Sequence, residues 1–226
     1  MAAAAPNVDV RTRRVAAIVG GGAAVLAAPI FLATVATGGL RQPGFDQWSS
    51  FVSELGASGS PAALLTNIGF AAVGVCLAAF AVGMLVALPD QRAIGGLLVV
   101  PAVAFVILAA SPCSAGCPIA LVDAAATPAD AVHNAAATAG LVALALAGLQ
   151  MADWAPAGFG PGWYPTFSAV AGALVGLSGA LFGLAVLAHQ DTAIAVSERI
   201  MLAAAMAWNT VTGWLLARYG VRPSAQ

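Results

Sequence analysis

The stretch from Val15 to Leu40 reads VAAIVGGGAAVLAAPIFLATVATGGL, 26 residues without Arg, Lys, Asp or Glu. A membrane-spanning helix needs about 20 consecutive apolar residues, so this stretch is long enough to cross a bilayer. Five more stretches also lack all four charged residue types: Leu55–Pro89, Ala93–Val122, Ala131–Ala152, Trp154–Gln190 and Ile200–Ala217. We therefore predict an all-α protein, a polytopic membrane bundle of six transmembrane helices.

The predicted helices cover residues 14–37, 62–87, 93–111, 131–151, 165–188 and 198–217, with ends uncertain by several residues. This divides the chain into a disordered cytoplasmic tail at 1–13, a membrane domain at 14–217 and a cytoplasmic tail at 218–226. The apolar part of the first helix is longer than the roughly 7–15 apolar residues of a signal peptide. We therefore expect it to be retained as a membrane span.

The composition excludes several classes of function. Hydrophobic residues make up 61% of the chain and charged residues 8%, whereas about a quarter of the residues of a soluble protein are charged. The net charge of −1 and the absence of a basic run beyond Arg11–Arg14 give no sign of a nucleic-acid partner. No phosphate-binding glycine loop, nucleophile elbow or zincin motif is present, so we expect no cofactor and no metal.

The arginines predict the orientation. With the N-terminus inside, the cytoplasmic side holds six of them, against Arg41 and Arg199 outside: Arg11, Arg13, Arg14, Arg92, Arg218 and Arg222. This satisfies the positive-inside rule. We predict a multi-pass protein of the bacterial cytoplasmic (inner) membrane with both termini in the cytoplasm.

Most other ionisable residues lie on the predicted extracytoplasmic side: Asp46, Glu54, Asp123, Asp130, His133, His189, Asp191 and Glu198. Acids contribute weakly to topology, so they collect readily where arginine is absent. A polar site on this face explains the same distribution. Both interpretations stay open at this point.

The segment Phe45–Leu55 reads FDQWSSFVSEL, and its apolar residues fall on one third of a helical wheel. This pattern predicts a short interfacial helix before helix two, with Gly56 as a left-handed stop. Alternatively, its polar face turns toward a cavity at the mouth of the bundle.

The run Ser-x-x-x-Ser-Glu-Leu-Gly-Ala from Ser49 to Ala57 resembles a bacterial and archaeal membrane family, domain of unknown function 998. Weaker matches lie further along the chain: Ser60-Pro61, Asn67, Gly69-Phe70, Ser111-Pro112-Cys113, His133, Glu198-Arg199 and Trp208. The resemblance covers residues 15–217 and implies a six-helix membrane protein. The family name carries no established activity, so the resemblance implies architecture rather than function.

Glu54 and His133 are the candidate catalytic residues, either of them as a general base. Ser53, Glu198 and Arg199 are candidate substrate-binding residues, with Arg199 as the contact for an anion. Structural roles explain the same residues. His133 contacts a loop carbonyl, Glu198 suits the start of helix six, which Ser197 caps, and Arg199 forms a salt bridge with an acid of another loop, such as Glu54 or Asp130.

Cys113 and Cys117 stand in the sequence PCSAGCP, in an outer loop. An oxidising compartment favours a disulfide between them, followed in our order by free thiols and then by metal binding. In helix five, Gly172, Gly176, Gly179 and Gly183 recur on one face. Such a face lets another helix approach closely, from within the chain or from a second copy in a homo-oligomer.

Three functions compete. The first is binding or modification of a membrane lipid or other amphiphile at the extracytoplasmic face. The second is a non-catalytic assembly or accessory role. The third is a small transporter, which the nearly charge-free span centres disfavour. The sequence does not decide whether the protein is an enzyme.

Overall fold

The computed structural model describes residues 9–156 and 158–221. Six α-helices in these ranges are long and apolar enough to cross a membrane: α1 Val10–Arg41, α2 Ala63–Ala87, α3 Arg92–Ala110, α4 Pro128–Trp154, α5 Tyr164–Leu187 and α6 Asp191–Val221. Two short 3₁₀ helices, Val52–Gly56 and Pro89–Gln91, precede α2 and α3. The described residues contain no β-strand, and the predicted all-α six-helix class is confirmed.

The six helices form a closed ring. Each helix packs against the next in sequence, and α6 returns to pack against α1. Short connections between packed helices make neighbours antiparallel. We call the end with the loops at 42–62, 111–127 and 188–190 the outer end, after its predicted side, and the opposite end the inner end.

Glycines allow the closest helix crossings. A Cβ added at Gly20 of α1 would lie 2.7 Å from the Cα of Gly83 in α2, and one at Gly148 of α4 would lie 3.0 Å from the Cα of Gly172 in α5. Gly21 meets the backbone of α6 at Gly213 in the same way. Small residues at these positions let the helix backbones touch, which is how helices associate where no hydrophobic effect drives them together.

Hydrogen bonds between side chains join α4, α5 and α6 inside the ring. Trp208 Nε1 donates to Ser168 Oγ over 2.7 Å, and Ser168 Oγ donates to the Gly148 carbonyl over 2.7 Å. Nearby, Tyr164 Oη lies 2.9 Å from Thr212 Oγ1. All these polar side chains are buried, so each bond satisfies a group that would otherwise be unpaired in the membrane.

Three helices are longer than predicted, and α4, at Pro128–Trp154, extends beyond the predicted 131–151 at both ends. Asp9 accepts a hydrogen bond from Thr12 N over 2.9 Å, so α1 begins at Val10 and residues 10–13, predicted as disordered, are helical. α6 begins at Asp191 rather than at 198 because a three-residue turn, with His189 at φ 53°, follows α5. α6 also extends to Val221, and the rest of the two predicted tails, 1–8 and 222–226, lies outside the described residues.

The continuous helix predicted over Phe45–Leu55 is wrong. Residues 45–50 form turns, and only Val52–Gly56 is helical, as a 3₁₀ helix whose Val52 and Leu55 are buried. The left-handed glycine is Gly59, at φ +86°, not Gly56. Gly56 is needed for another reason: Asn67 Nδ2 donates to its carbonyl over 3.0 Å, and a Cβ there would meet the Asn67 side chain.

Candidate functional site

Three charged side chains, Glu54, Glu198 and Arg199, meet at the outer end, and we call them the outer charge cluster. Glu198 Oε2 accepts a hydrogen bond from Val52 N over 2.9 Å, and Glu54 Oε1 accepts one from Phe51 N over 2.9 Å. Two carboxylates therefore bind two consecutive backbone amides of the first outer loop.

Arg199 completes the cluster from α6. Its Nη2 donates to the Ser50 carbonyl over 2.8 Å, and its Nη1 donates to the Ala195 carbonyl over 3.0 Å. The same Nη1 lies 3.4 Å from Glu198 Oε2, a loose ion pair. The Arg199 side chain is 21% exposed and that of Glu198 12%. The pair thus holds residues 50–52 against α6 and keeps a partly open surface.

The true start of α6 changes the roles expected of this pair. Glu198 lies seven residues after Asp191, about 10 Å along the helix axis. Ser197 therefore does not cap the helix. The helix dipole neither stabilises the charge of Glu198 nor destabilises that of Arg199, because the influence of the dipole is confined to the first turn. No ion pair of Arg199 with the predicted partners Glu54 or Asp130 occurs among the described residues. Arg199 pairs instead with its neighbour Glu198, in the third turn of α6, and both side chains bind the first outer loop.

Asp130, in the first turn of α4, organises the second outer loop. Its Oδ1 accepts from Ser114 N over 2.7 Å, and its Oδ2 accepts from Ser114 Oγ over 2.8 Å. Oδ2 also accepts from Thr127 N over 2.8 Å and from Thr127 Oγ1 over 2.7 Å. One buried carboxylate thus fixes both ends of the loop between residues 114 and 127.

His133 lies one turn further along α4 and is 3% exposed. Its Nδ1 is 3.0 Å from the Ser111 carbonyl, which can only accept, so Nδ1 carries the proton in this contact. Nε2 is buried and has no hydrogen-bond partner among the described residues. A bare Nε2 lone pair is chemically a base, but here it is closed off from solvent.

The predicted site residues fall into two groups. Glu54, Glu198 and Arg199 come together, and Ser53 lies between Glu54 and the bound amides. Within the described ranges, no hydrogen bond or ion pair joins His133 to any of them. The two outer loops that carry these groups contact each other: Ser58 N donates to the Cys113 carbonyl over 2.8 Å, and Cys113 Sγ lies 3.7 Å from the Ser53 carbonyl oxygen.

Cys113 and Cys117 are paired as a disulfide in the structure, with Cα atoms 5.0 Å apart, inside the usual range. Both are buried under the first outer loop, against Ala57 and Phe51. No group of three His, Cys, Asp or Glu side chains able to hold a metal ion occurs in the described part of the chain.

Asp46 stabilises the turn that begins the first outer loop. It accepts from Trp48 N over 2.9 Å and from Ser49 Oγ over 3.0 Å. These bonds, the backbone one first, favour the charged form and lower the pKa of Asp46 below its ordinary value. Asp46 therefore stabilises the backbone of the first outer loop.

Sequence reasoning missed the roles of Asp130 and Asn134. Asn134 Nδ2 donates to the Pro118 carbonyl over 3.0 Å, so it also holds the second loop. The signal was present for Asp130, because Thr127, with Pro128 after it and Asp130 three residues on, has the spacing of a capping box. No comparable local sequence pattern predicts the contact of Asn134 with the second loop.

The glycine face of α5 is used only in part. Gly172 packs against α4, where an added Cβ would lie 2.8 Å from the Ala145 carbonyl oxygen, whereas Gly183 faces open space. Gly176 and Gly179 have only ordinary contacts, with Ala145 and Met201. The close approach is therefore internal at Gly172, and a homo-oligomer through the rest of the face stays a prediction.

Two cavities lie away from the outer charge cluster. A groove of about 270 Å³ between α3 and α4 is lined by apolar side chains such as Val103 and Ile107. A second cavity, of about 400 Å³, opens at the inner end beside Trp163, Trp214 and Arg218. Neither is lined by a residue of the outer charge cluster or by His133.

Comparison with known proteins adds the family. Searches of curated proteins and of solved structures find no match. The model of one family, described as protein of unknown function (DUF998), matches residues 25–215. This range covers most of the ring and all three outer loops. The chain is therefore an integral membrane protein that belongs to the DUF998 family.

Proposed function

We propose that the protein binds the polar headgroup of a lipid or another amphiphile at the extracytoplasmic face of the membrane, through the outer charge cluster. The observation that carries this proposal is the meeting of two carboxylates and one guanidinium on a partly open surface of α6. The three charges offer an anion contact beside two cation contacts, which suits a phosphate, amine or hydroxyl headgroup.

The depth of the cluster supports a headgroup as the ligand. α6 has 31 residues and is about 46 Å long, against a hydrocarbon core of about 30 Å. Roughly 8 Å of helix then extends beyond the core at each end, which is close to the thickness of the headgroup layer. Glu198 and Arg199, about 10 Å from the outer start of α6, would lie at the boundary between headgroups and acyl chains.

The geometry supports binding more than catalysis. Each carboxylate of the cluster already accepts a backbone hydrogen bond, and the base Nε2 of His133 is closed off in the other group. A general base must come within hydrogen-bond reach of the proton it removes. The catalytic roles of Glu54 and His133 therefore stay predictions, and binding is the function proposed.

The test is lipid retention after purification. The protein is purified in a mild detergent from its own membranes, and retained amphiphiles are identified by mass spectrometry. Arg199→Gln is compared with Arg41→Gln, which removes the other arginine of the outer end, exposed at the last residue of α1. We expect a specific amphiphile in the parent protein and in Arg41→Gln, and its loss in Arg199→Gln.

Two further variants guard against a trivial loss. Arg199→Lys keeps the charge and should retain part of the amphiphile, while Glu54→Gln changes a ligand contact on the loop without altering α6. An amphiphile retained equally in Arg199→Gln and the parent protein would contradict the proposal, as would the absence of any retained amphiphile from the parent protein.

A second candidate is a non-catalytic accessory role, and one observation favours it. The outer charge cluster and Asp130 each hold the backbone of an outer loop, so the outer end is a fixed surface. Leu121 and Trp48 on this surface are 95% and 69% exposed. Exposed apolar side chains on a rigid surface suit contact with another membrane protein. Cross-linking in membranes through cysteine at position 121 should then capture one defined partner; capture of no partner would exclude this role for that surface.

A further inference from the structure

The inner end carries a separate cavity that no part of the proposed function uses. It has a volume of about 400 Å³ and is lined by residues from the α4–α5 connection and from the last turns of α6: Gly158, Gly160, Pro161, Trp163, Trp214, Leu215 and Arg218. We propose that this cavity binds the phosphate headgroup of an anionic phospholipid from the leaflet at the inner end.

The first support is the charge of the lining. Arg218 supplies a cation, and no acidic side chain lines the cavity. Within the described residues, Arg218 makes no ion pair or hydrogen bond; its one specific contact is with the ring of Trp214, whose centroid lies 4.6 Å from Cζ. A guanidinium placed over an aromatic ring has its edge donors available for the oxygens of a phosphate.

The second support is the aromatic frame. Trp163 and Trp214 both line the cavity, one just before α5 and one on α6, and are 53% and 45% exposed. Tryptophan side chains concentrate at the level of lipid headgroups, where the ring is apolar and the N–H meets polar groups. The cavity therefore lies at the depth where a phospholipid phosphate is found.

The third support is the position of the cavity. It is a notch between the α4–α5 connection and the last turns of α6, and its lining residue Leu215 is buried in the bundle. A lipid headgroup fits such a notch while its acyl chains remain in the bilayer. Basic pockets between helices on the cytoplasmic side are a known form of site for anionic lipids.

The experiment uses the whole protein in detergent, titrated with phosphatidylglycerol and followed by native mass spectrometry. Arg218→Gln is compared with Arg92→Gln, which removes another exposed inner-end arginine that does not line the cavity. We expect the tightest-binding phosphatidylglycerol molecule to bind about tenfold more weakly to Arg218→Gln than to the parent protein. Its binding to Arg92→Gln should not change. A second variant, Trp214→Leu, removes the ring under Arg218 and should weaken binding in the same direction.

Each other outcome counts against the proposal. Equal losses in Arg218→Gln and Arg92→Gln would mean general attraction to charge, and unchanged binding in Arg218→Gln would remove the site. Equal binding of phosphatidylcholine would contradict the preference for an anionic lipid. Competition by millimolar inorganic phosphate would identify a free anion as the ligand. Loss of the outer amphiphile leaves this result unaffected, because the two sites lie at opposite ends of the bundle.

Discussion

The outer and inner ends of the ring use their charged residues in opposite ways. At the outer end, Glu54, Asp130, Glu198 and Arg199 each bind the backbone of a loop. At the inner end, connections lie between α2 and α3 and between α4 and α5, and the one specific contact of Arg218 within the described residues is with the ring of Trp214. The comparison teaches that the two long outer loops, at 42–62 and 111–127, are held by charged side chains, whereas Arg218 keeps donors that no described residue uses.

The strongest test of this difference is Asp130→Ala. The change removes the acceptor of four hydrogen bonds from Ser114 and Thr127. Hydrogen bonds to a charged group contribute about 1.5–3 kcal/mol each, and the buried donors are left unpaired, so we expect at least about 3 kcal/mol of lost stability. Denaturant unfolding in detergent micelles measures it.

Asp123→Ala is the control for Asp130→Ala. Asp123 lies in the same loop and is exposed, and it accepts a single bond, from Ala125 N over 2.8 Å. Its loss should cost no more than about 0.5 kcal/mol. Similar losses in both variants would mean that Asp130 does not anchor the loop.

A smaller effect is expected from Glu198→Ala. It leaves Val52 N without its acceptor and Arg199 without its ion pair, so we expect a loss of about 2 kcal/mol and easier proteolysis between residues 45 and 60. Asp191→Ala on the same helix, at its exposed first residue, serves as the matched variant. Unchanged protease resistance in Glu198→Ala would show that α6 does not hold the first loop.

Loss of the disulfide should lower stability by about as much as Glu198→Ala. Cys113 and Cys117 are four residues apart, and closing so short a loop removes little chain entropy, about 2 kcal/mol. Under non-reducing conditions we expect alkylation at Cys76 alone, and replacement of both outer cysteines by Ser should lower stability by about that amount. Alkylation at positions 113 and 117 without reductant would refute the bond.

The smallest effect is expected at the inner end, from Arg14→Gln. Arg14 Nη2 donates to the Val221 carbonyl over 2.9 Å, an exposed bond between α1 and the last residue of α6. Exposed bonds of this kind are worth about 0.5 kcal/mol or less. A loss comparable with that of Asp130→Ala would erase the contrast between the two ends.

The sequence was sufficient for the membrane spans because each depends on a local property, a long run without charge. It was insufficient for the start of α6, which was predicted at residue 198; residues 191–197, assigned to a loop, are in fact helical. A polar first turn is what a helix longer than the hydrocarbon core requires, so charge alone does not mark its end.

The candidate site was predictable only in part, for a similar reason. The helical wheel of Phe45–Leu55 takes account only of contacts within the segment. In the structure, the backbone of Ser50 and Val52 binds side chains that are 149 and 146 residues away. Such contacts override a local amphipathic pattern. Glu54, Glu198 and Arg199 were chosen by their chemistry and do meet, while His133 was chosen on the same ground and lies in another group.

The closed ring has a consequence for assembly. α6 leaves the ribosome after the other five described spans, yet it supplies the partner of α1 and the anchor of the first outer loop. Until it inserts, Gly21 lacks the backbone of α6 at Gly213 and the amide of Val52 lacks the Glu198 carboxylate. The first five spans therefore form an open arrangement. Insertion of α6 then closes the ring and fixes the first outer loop in a single event.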